Sequence, residues 1–257
     1  MDVVVLMKPI HDPRVPLTID EVQGQDFGRH EAHMTFGPYD ENALETALQI
    51  KDRYGLGVSV VVMADAVPNA LLRAPLMVGA DRVLQIPANA WDLSPRSVAT
   101  ALTVAIGLVP EPAMVFAGIQ SGDWDTGFLP FALAAELNWS MVTNVIDITC
   151  GDETWMVTTR DTQAMQRYLL RDVFVATVTS SGRNNLRYPT MRDRLQSKRK
   201  PVQSVFDAAR LVEPFVTMQW VPSAERSITW MEGVTDFDRG CALGKYLISQ
   251  GWIGEGS

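Results

Sequence analysis

Cysteine is scarce: the 257 residues hold two, Cys150 and Cys241, with no C-x-x-C pair and no Cys/His cluster. Neither a disulfide framework nor a structural zinc site is indicated, and a reducing cytoplasm is the expected compartment. No stretch reaches eighteen uncharged apolar residues, and the leading run Val3 to Met7 is too short and wrongly flanked for a signal peptide or membrane helix. Membrane insertion is not expected. Positive charge is also in deficit, with 22 Lys and Arg against 30 Asp and Glu and a net charge of −8. An anion of that size repels a phosphate backbone, which argues against general nucleic-acid binding. Of the three histidines, His11, His30 and His33, none has a carboxylate or cysteine that completes a metal set, so they read as loop residues. G-x-G-x-x-G, G-x-x-x-x-G-K-[ST] and G-x-S-x-G are all missing. A dinucleotide fingerprint, a P-loop and a hydrolase elbow drop out, while a mononucleotide or flavin site of another kind stays open. Asn138-Trp139-Ser140 spells a glycosylation acceptor only by chance.

What is present is globular. Hydrophobic residues make up 47% and charged residues 20%, which excludes disorder and coiled coil and allows one large domain with an appendage. Near-continuous apolar runs at Val3 to Met7, Val58 to Met63, Arg82 to Ile86 and Ala113 to Ala117 alternate with helix-like segments. Strands of that kind are buried on both faces, so the expected fold is α/β: a three-layer, Rossmann-like sandwich on a mainly parallel sheet. Helices are predicted over Pro38 to Tyr54, stopped by Gly55; over about Val67 to Val78, where Pro75 should kink or divide it; over about Ser94 to Leu108; and from Thr126 to Leu137. Val142 to Cys150, Thr154 to Arg160, Arg167 to Arg171 and Val173 to Val178 read as an antiparallel extension of the sheet, and Ser180 to Lys200 as an exposed loop. Residues 1–200 are thus expected to form the domain and 201–257 a C-terminal arm with a last helix from about Asp236 to Ser249, capped by Thr235 and Asp238. Trp220, Trp230 and Trp252 lie in that arm, a content suited to covering a partner subunit.

The segment from Gly118 to Gly127 joins a strand end to a helix. In an open parallel sheet ligands sit at the carboxyl ends of strands, and a helix N-terminus there offers N–H groups to a phosphate. Thr126 and the N–H groups of Gly127, Phe128 and Leu129 could hold one, with Pro130 tolerated in the first turn. Asp123 and Asp125 would repel an anion if they faced it, and read equally as turn and capping residues.

Met7-Lys8, Gly37-Pro38-Tyr39-Asp40-Glu41 with Ala43-Leu44-Glu45, Met77 to Arg82, the Gly118 to Gly127 loop, and Arg187-Tyr188-Pro189-Thr190 with Lys198-Arg199-Lys200-Pro201 follow one another at set spacings. This order resembles the β subunit of electron-transfer flavoprotein over residues 1 to about 205, and more weakly through Ser227 to Gly233. The resemblance implies a heterodimer with an α subunit whose mobile domain carries FAD and takes electrons from a flavin-dependent dehydrogenase. It further implies an adenine nucleotide in this chain, AMP in the simple carriers or a second FAD in the bifurcating members. The implied cofactor-binding positions are Leu6, Gly37, Pro38, Tyr39, Asp40, Met63, Gly118, Gln120, Asp123, Asp125, Thr126, Gly127, Phe128 and Leu129. Gly37 and Phe128 stand where the family carries Asn and Gln, whose side-chain hydrogen bonds are absent here, and Trp124 replaces a small residue.

The family docks its dehydrogenase through an apolar residue after the Arg-Tyr-Pro motif, here Met191. Arg187, Tyr188, Lys198, Arg199 and Lys200 accompany it as a surface that would steer an acidic partner. The expected function is that of an electron-carrier subunit with no bond chemistry of its own. The alternatives are the FAD-binding subunit of an electron-bifurcating, NADH-oxidising flavoprotein, and a stand-alone adenine-nucleotide-binding module.

Overall fold

The computed structural model describes residues 1–15, 33–88, 93–151, 154–162, 164–205 and 228–253. The chain divides into two compact units, Met1–Met218 and Gln219–Ser257. His30 and Trp220 lie outside the described residues.

In the first unit β1 (Asp2–Met7) leads into a ribbon of β2 (Pro9–His11) and β3 (Met34–Phe36). Then come α1 (Pro38–Tyr54), β4 (Gly57–Met63), α2 (Asn69–Val78), β5 (Arg82–Ile86), α3 (Pro95–Gly107), β6 (Pro112–Gly118) and α4 (Leu129–Leu137). The remainder is β7 (Ser140–Gly151), β8 (Thr154–Arg160), β9 (Met165–Leu170), β10 (Phe174–Val178), α5 (Met191–Ser197) and β11 (Val202–Ser204). The main sheet has nine strands in the order β11-β5-β4-β1-β6-β10-β7-β8-β9. From β11 to β7 every neighbouring pair is parallel, whereas β7–β8 and β8–β9 are antiparallel.

Alternation along β1 sets the layers. Val3, Val5 and Met7 pack on one face with Leu44 and Leu48 of α1 and Leu76 of α2; Val4 and Leu6 pack on the other with Leu102 and Ile106 of α3 and Leu133 of α4. Each such side chain contributes roughly 1.5–3 kcal/mol when fully buried, so the two apolar seams clamp the sheet between helices. This is the three-layer α/β sandwich expected from the apolar runs. α1 forms where its signals place it: Pro38 opens it, Asp40 and Glu41 face the positive end of its dipole, and Gly55 ends it at φ 75°, giving its N–H to Lys51 O.

Four expectations need correction. β10 does not belong to the antiparallel extension; it inserts between β6 and β7 with both neighbours parallel, as its five buried residues require of a strand covered on both faces. Pro75 sits inside α2, which runs unbroken over ten residues, so of the two expected outcomes the division does not occur. The stretch from Ser180 to Lys200 is no free loop: it contains α5 and is pinned by Asn184, which is buried, accepts the Ser181 N–H and donates to Thr179 O, while Asn42 of α1 donates to Asn184 O. His11 is a strand residue of the β2–β3 ribbon. In addition, Val202–Ser204 pairs with β5, so the chain is still part of the sheet beyond residue 200.

The second unit contains α6 (Asp236–Ser249). Thr235 accepts the Asp238 N–H and Asp238 accepts the Thr235 N–H, the predicted reciprocal cap. No residue of α6 is buried, so this unit builds no core of its own among its described residues.

Candidate functional site

Parallel strands end together, and the carboxyl ends of β1, β4 and β6 open a cleft of about 90 Å³ that is continuous with solvent. Leu6, Val61, Met63, Val98, Leu102 and Ala117 give it apolar walls; Lys8, Asp40, Gln120, Ser121 and Thr126 supply polar groups, and Met7, Gly118, Leu129 and Pro130 complete the lining.

Asp40, in the first turn of α1, is buried at 7% exposure. Its Oδ2 accepts the Lys8 N–H at 2.9 Å and the carboxylate also accepts the Gly118 N–H. Burial outweighs these bonds and pushes its pKa from 3.8 up to about 7. The Lys8 Nζ meets Asp123 Oδ2 at 2.6 Å, with both side chains largely covered. Asp123 Oδ1 accepts the Trp124 N–H at 2.9 Å, and Asp125, held at φ 53°, accepts from Gln120 Nε2 at 3.0 Å while its own N–H reaches Ser121 O. Both aspartates are thus tied inside the loop.

Close backbone packing explains the glycines here. A Cβ on Gly118 would lie 2.7 Å from Tyr39 Cβ, one on Gly122 2.7 Å from Ile10 Cδ1, and one on Gly127 2.7 Å from Ile119 O. Gly37 approaches Gly122 backbone to backbone, leaving a Cβ at position 37 at 3.5 Å from Gly122 N.

The loop delivers α4 with no side-chain cap at Phe128. The Phe128 carbonyl accepts from Phe131 and Ala132, but the N–H groups of Gly127, Phe128 and Leu129 have no acceptor among the described residues. The buried Ser121 Oγ also lacks a partner among the described residues. Three open amides at a helix N-terminus favour an anion, and the apolar walls favour a flat ring.

Of the sequence-selected positions, Leu6, Asp40, Met63, Gly118, Gln120, Thr126 and Leu129 meet in the cleft. Gly37, Pro38, Tyr39, Asp123, Asp125, Gly127 and Phe128 surround or support it without appearing in its lining. Val98 and Leu102 were missed, since an apolar stripe on α3 carries no mark distinguishing a cleft wall from ordinary core. Ser121 was missed although it lies inside the chosen loop.

The second candidate region starts at Arg187. Its Nε and Nη2 reach Glu45 at 3.0 and 2.9 Å, its Nη1 reaches Asp52 at 2.7 Å, and its N–H bonds to Glu45 Oε2. Those carboxylates push its pKa upward. Lys200 is tied as well, donating from Nζ to Ala80 O at 2.6 Å, and Arg73 holds the chain by donating to Ser197 O and Lys200 O. Tyr188 and Met191 stand exposed at 95% and 74%, joined by Leu195, one helical turn beyond Met191, at 62%. Leu195 was not selected from the sequence; its i, i+4 spacing from Met191 is a signal that would have found it, had α5 been recognised.

Comparison with known proteins decides the family. The electron transfer flavoprotein domain model matches residues 26–209. The chain belongs to the electron transfer flavoprotein family. Its likeness is to β subunits: it is 34% identical over 156 residues to the electron transfer flavoprotein subunit beta of Clostridium acetobutylicum, a match spanning 60% of this chain and 59% of that protein. With the protein of the same name from Bradyrhizobium diazoefficiens it shares 29% over 206 residues, covering 79% and 80%. The Caffeyl-CoA reductase-Etf complex subunit CarD of Acetobacterium woodii is 37% identical over 124 residues, covering 47% of each chain. The family model thus covers the segment after Arg187 and the part of the cleft from Asp40 to Pro130, but not its β1 end at Leu6 and Lys8. Among the described residues no three His, Cys, Asp or Glu are placed to hold a metal, and no helix is long and apolar enough to cross a membrane.

Proposed function

We propose that this chain is the β subunit of a heterodimeric electron carrier of the flavoprotein family. It binds an adenosine phosphate in the cleft, pairs with an α subunit that holds FAD, and receives a flavin-dependent dehydrogenase at the surface around Met191. The observation that carries this reading is the array of open amides on Gly127, Phe128 and Leu129, set beside an unpartnered Ser121 hydroxyl and an apolar slot. A phosphate satisfies the amides, and an adenine ring fits between Leu6, Val61, Met63 and Leu102 without needing a charged partner. Asp123 and Asp125, which would oppose the phosphate, are committed to Lys8 and Gln120.

The chain's own residues orient and enclose, and the reading assigns them no bond chemistry. The FAD shared with the α subunit supplies the electron transfer when bound. The Asp125-Thr126-Gly127 triplet is more like the pattern of the bifurcating members of the family and supports a second reading, in which the cleft holds FAD and takes electrons from NADH. In either case the second unit, which carries the C-terminal tryptophans, covers the α subunit, and its exposed apolar residues Ile228, Trp230, Phe237 and Trp252 support that assignment.

Co-expression with the α subunit, followed by denaturation and quantification of flavin and AMP per heterodimer, tests the reading. One FAD and one AMP are expected. Two FAD with NADH oxidation would select the second reading, and a colourless preparation without nucleotide would overturn both.

A further inference from the structure

Asp40 is used in an unusual way. It sits on α1, yet its carboxylate accepts the N–H of Lys8, the first residue beyond β1, and of Gly118, the last residue of β6. β1 and β6 are hydrogen-bonded neighbours, and the cleft opens where they end. One buried carboxylate therefore spans the ends of β1 and β6, the second of which gives rise to the phosphate loop.

The charged groups facing it come from both elements packed against it: Lys8 after β1 and Asp123 in the loop after β6, with Glu41 next to it on α1. The Lys8 ammonium lies against Asp123, so the space holds two carboxylates and one cation. An anion entering that space is repelled by a charged Asp40 and tolerated by a neutral one.

We propose that Asp40 is the positioning residue of the cleft, holding the β1 and β6 ends in register, and that anion binding there is coupled to uptake of one solvent proton by its carboxyl. The inference rests on reading the cleft as an adenosine phosphate site. The balance is simple: a proton leaves water, an O–H bond forms on Asp40, and no other covalent bond changes. The neutral carboxyl still accepts through its carbonyl oxygen, so the strut survives protonation. Burial already holds the group at about 7 in the free protein, and the ligand's charge raises it further. Because the complex binds the proton more tightly, affinity is highest below pH 7 and falls as pH rises through that value, by at most about tenfold per pH unit.

The experiment is titration calorimetry of the nucleotide-stripped heterodimer with ADP-ribose, whose own charge is constant near neutrality, in buffers of different ionisation enthalpy. Uptake of roughly half a proton is expected at pH 7, with Kd rising about three- to tenfold from pH 6.5 to 8.5. The same measurement on Asp40→Asn assigns the proton: that variant should show no uptake and a flat profile. Binding of ADP-ribose without proton exchange, or an unchanged slope in Asp40→Asn, would overturn the proposal and leave the nucleotide site standing. Failure of both ADP-ribose and AMP to bind the wild-type protein would overturn the site as well.

Discussion

Two segments of the first unit, Gly118 to Leu129 and Arg187 to Lys200, divide their work in the same way. In the first, Asp123 and Asp125 are held by Lys8 and Gln120, while plain backbone amides remain open. In the second, Arg187 and Lys200 are held by Glu45, Asp52 and a carbonyl, while Tyr188, Met191 and Leu195 remain exposed. The residues that look most chemical in each string of letters secure the segment, and the bland ones face outward. A charged side chain near a folded surface lowers its free energy by finding an internal partner, whereas an amide at a helix start or a thioether on a short helix has none to find.

The largest expected effect tests the second half of this comparison. Glu45 is 5% exposed, and Arg187→Ala would leave it buried without its guanidinium, at a cost of about 3 kcal/mol in denaturant-induced unfolding. Arg187→Lys should restore only part of this, since an ammonium cannot reach Glu45 and Asp52 in the forked geometry. An Arg187→Ala protein of wild-type stability with slowed electron transfer would break the comparison, because the arginine would then be a docking group.

Next in size is Gly118→Ala. The new methyl would press on Tyr39 Cβ at 2.7 Å and Asp40 Oδ1 at 2.8 Å, neither of which can retreat from the first turn of α1. A loss of about 2 kcal/mol is expected, together with weakened nucleotide retention. Gly127→Asp follows, with a smaller loss of about 1 kcal/mol from the contact with Ile119 O at 2.7 Å. Its charge beside the open amides should nevertheless empty the nucleotide site, measured as AMP released per heterodimer on denaturation. Full retention would mean that the amides of Gly127, Phe128 and Leu129 do not hold the phosphate.

How much of this could be read beforehand follows the same division. The sandwich was legible because β1, β4 and β6 are nearly continuous apolar runs, and α1 because Pro38, Asp40, Lys51 and Gly55 all mark its limits. β10 was misassigned because strand order is a long-range property: five apolar residues declare burial, not which neighbours they pair with. α5 was overlooked because seven residues, four of them charged or amide-bearing, give little periodic signal. Within the site, positions fixed by backbone approach, such as Gly118 and Gly127, were visible as glycines at a strand end and a helix start. Roles fixed by which partner a charge finds, as for Asp40, Arg187 and Lys200, could not be known until the fold brought Lys8, Glu45 and Ala80 to them.

The smallest effect on stability is the most informative about function. Met191 is the first residue of α5 and 74% exposed, and the cap of that helix is made by Thr190 with Asp193, so Met191→Ala removes neither a core contact nor a cap. Unfolding should change by less than about 0.5 kcal/mol, as for surface sites generally. Cofactor content should also be unchanged. The rate of electron transfer from the dehydrogenase should nonetheless fall, because an exposed thioether contributes to a docked complex rather than to the fold. Leu195→Ala sharpens the point: if the partner rests on the face that Met191 and Leu195 share, the two substitutions should slow transfer in the same direction and couple when combined. Independent effects would place the docking contact on the Tyr188 side instead, and unaltered kinetics in both would leave this surface without a role in electron transfer.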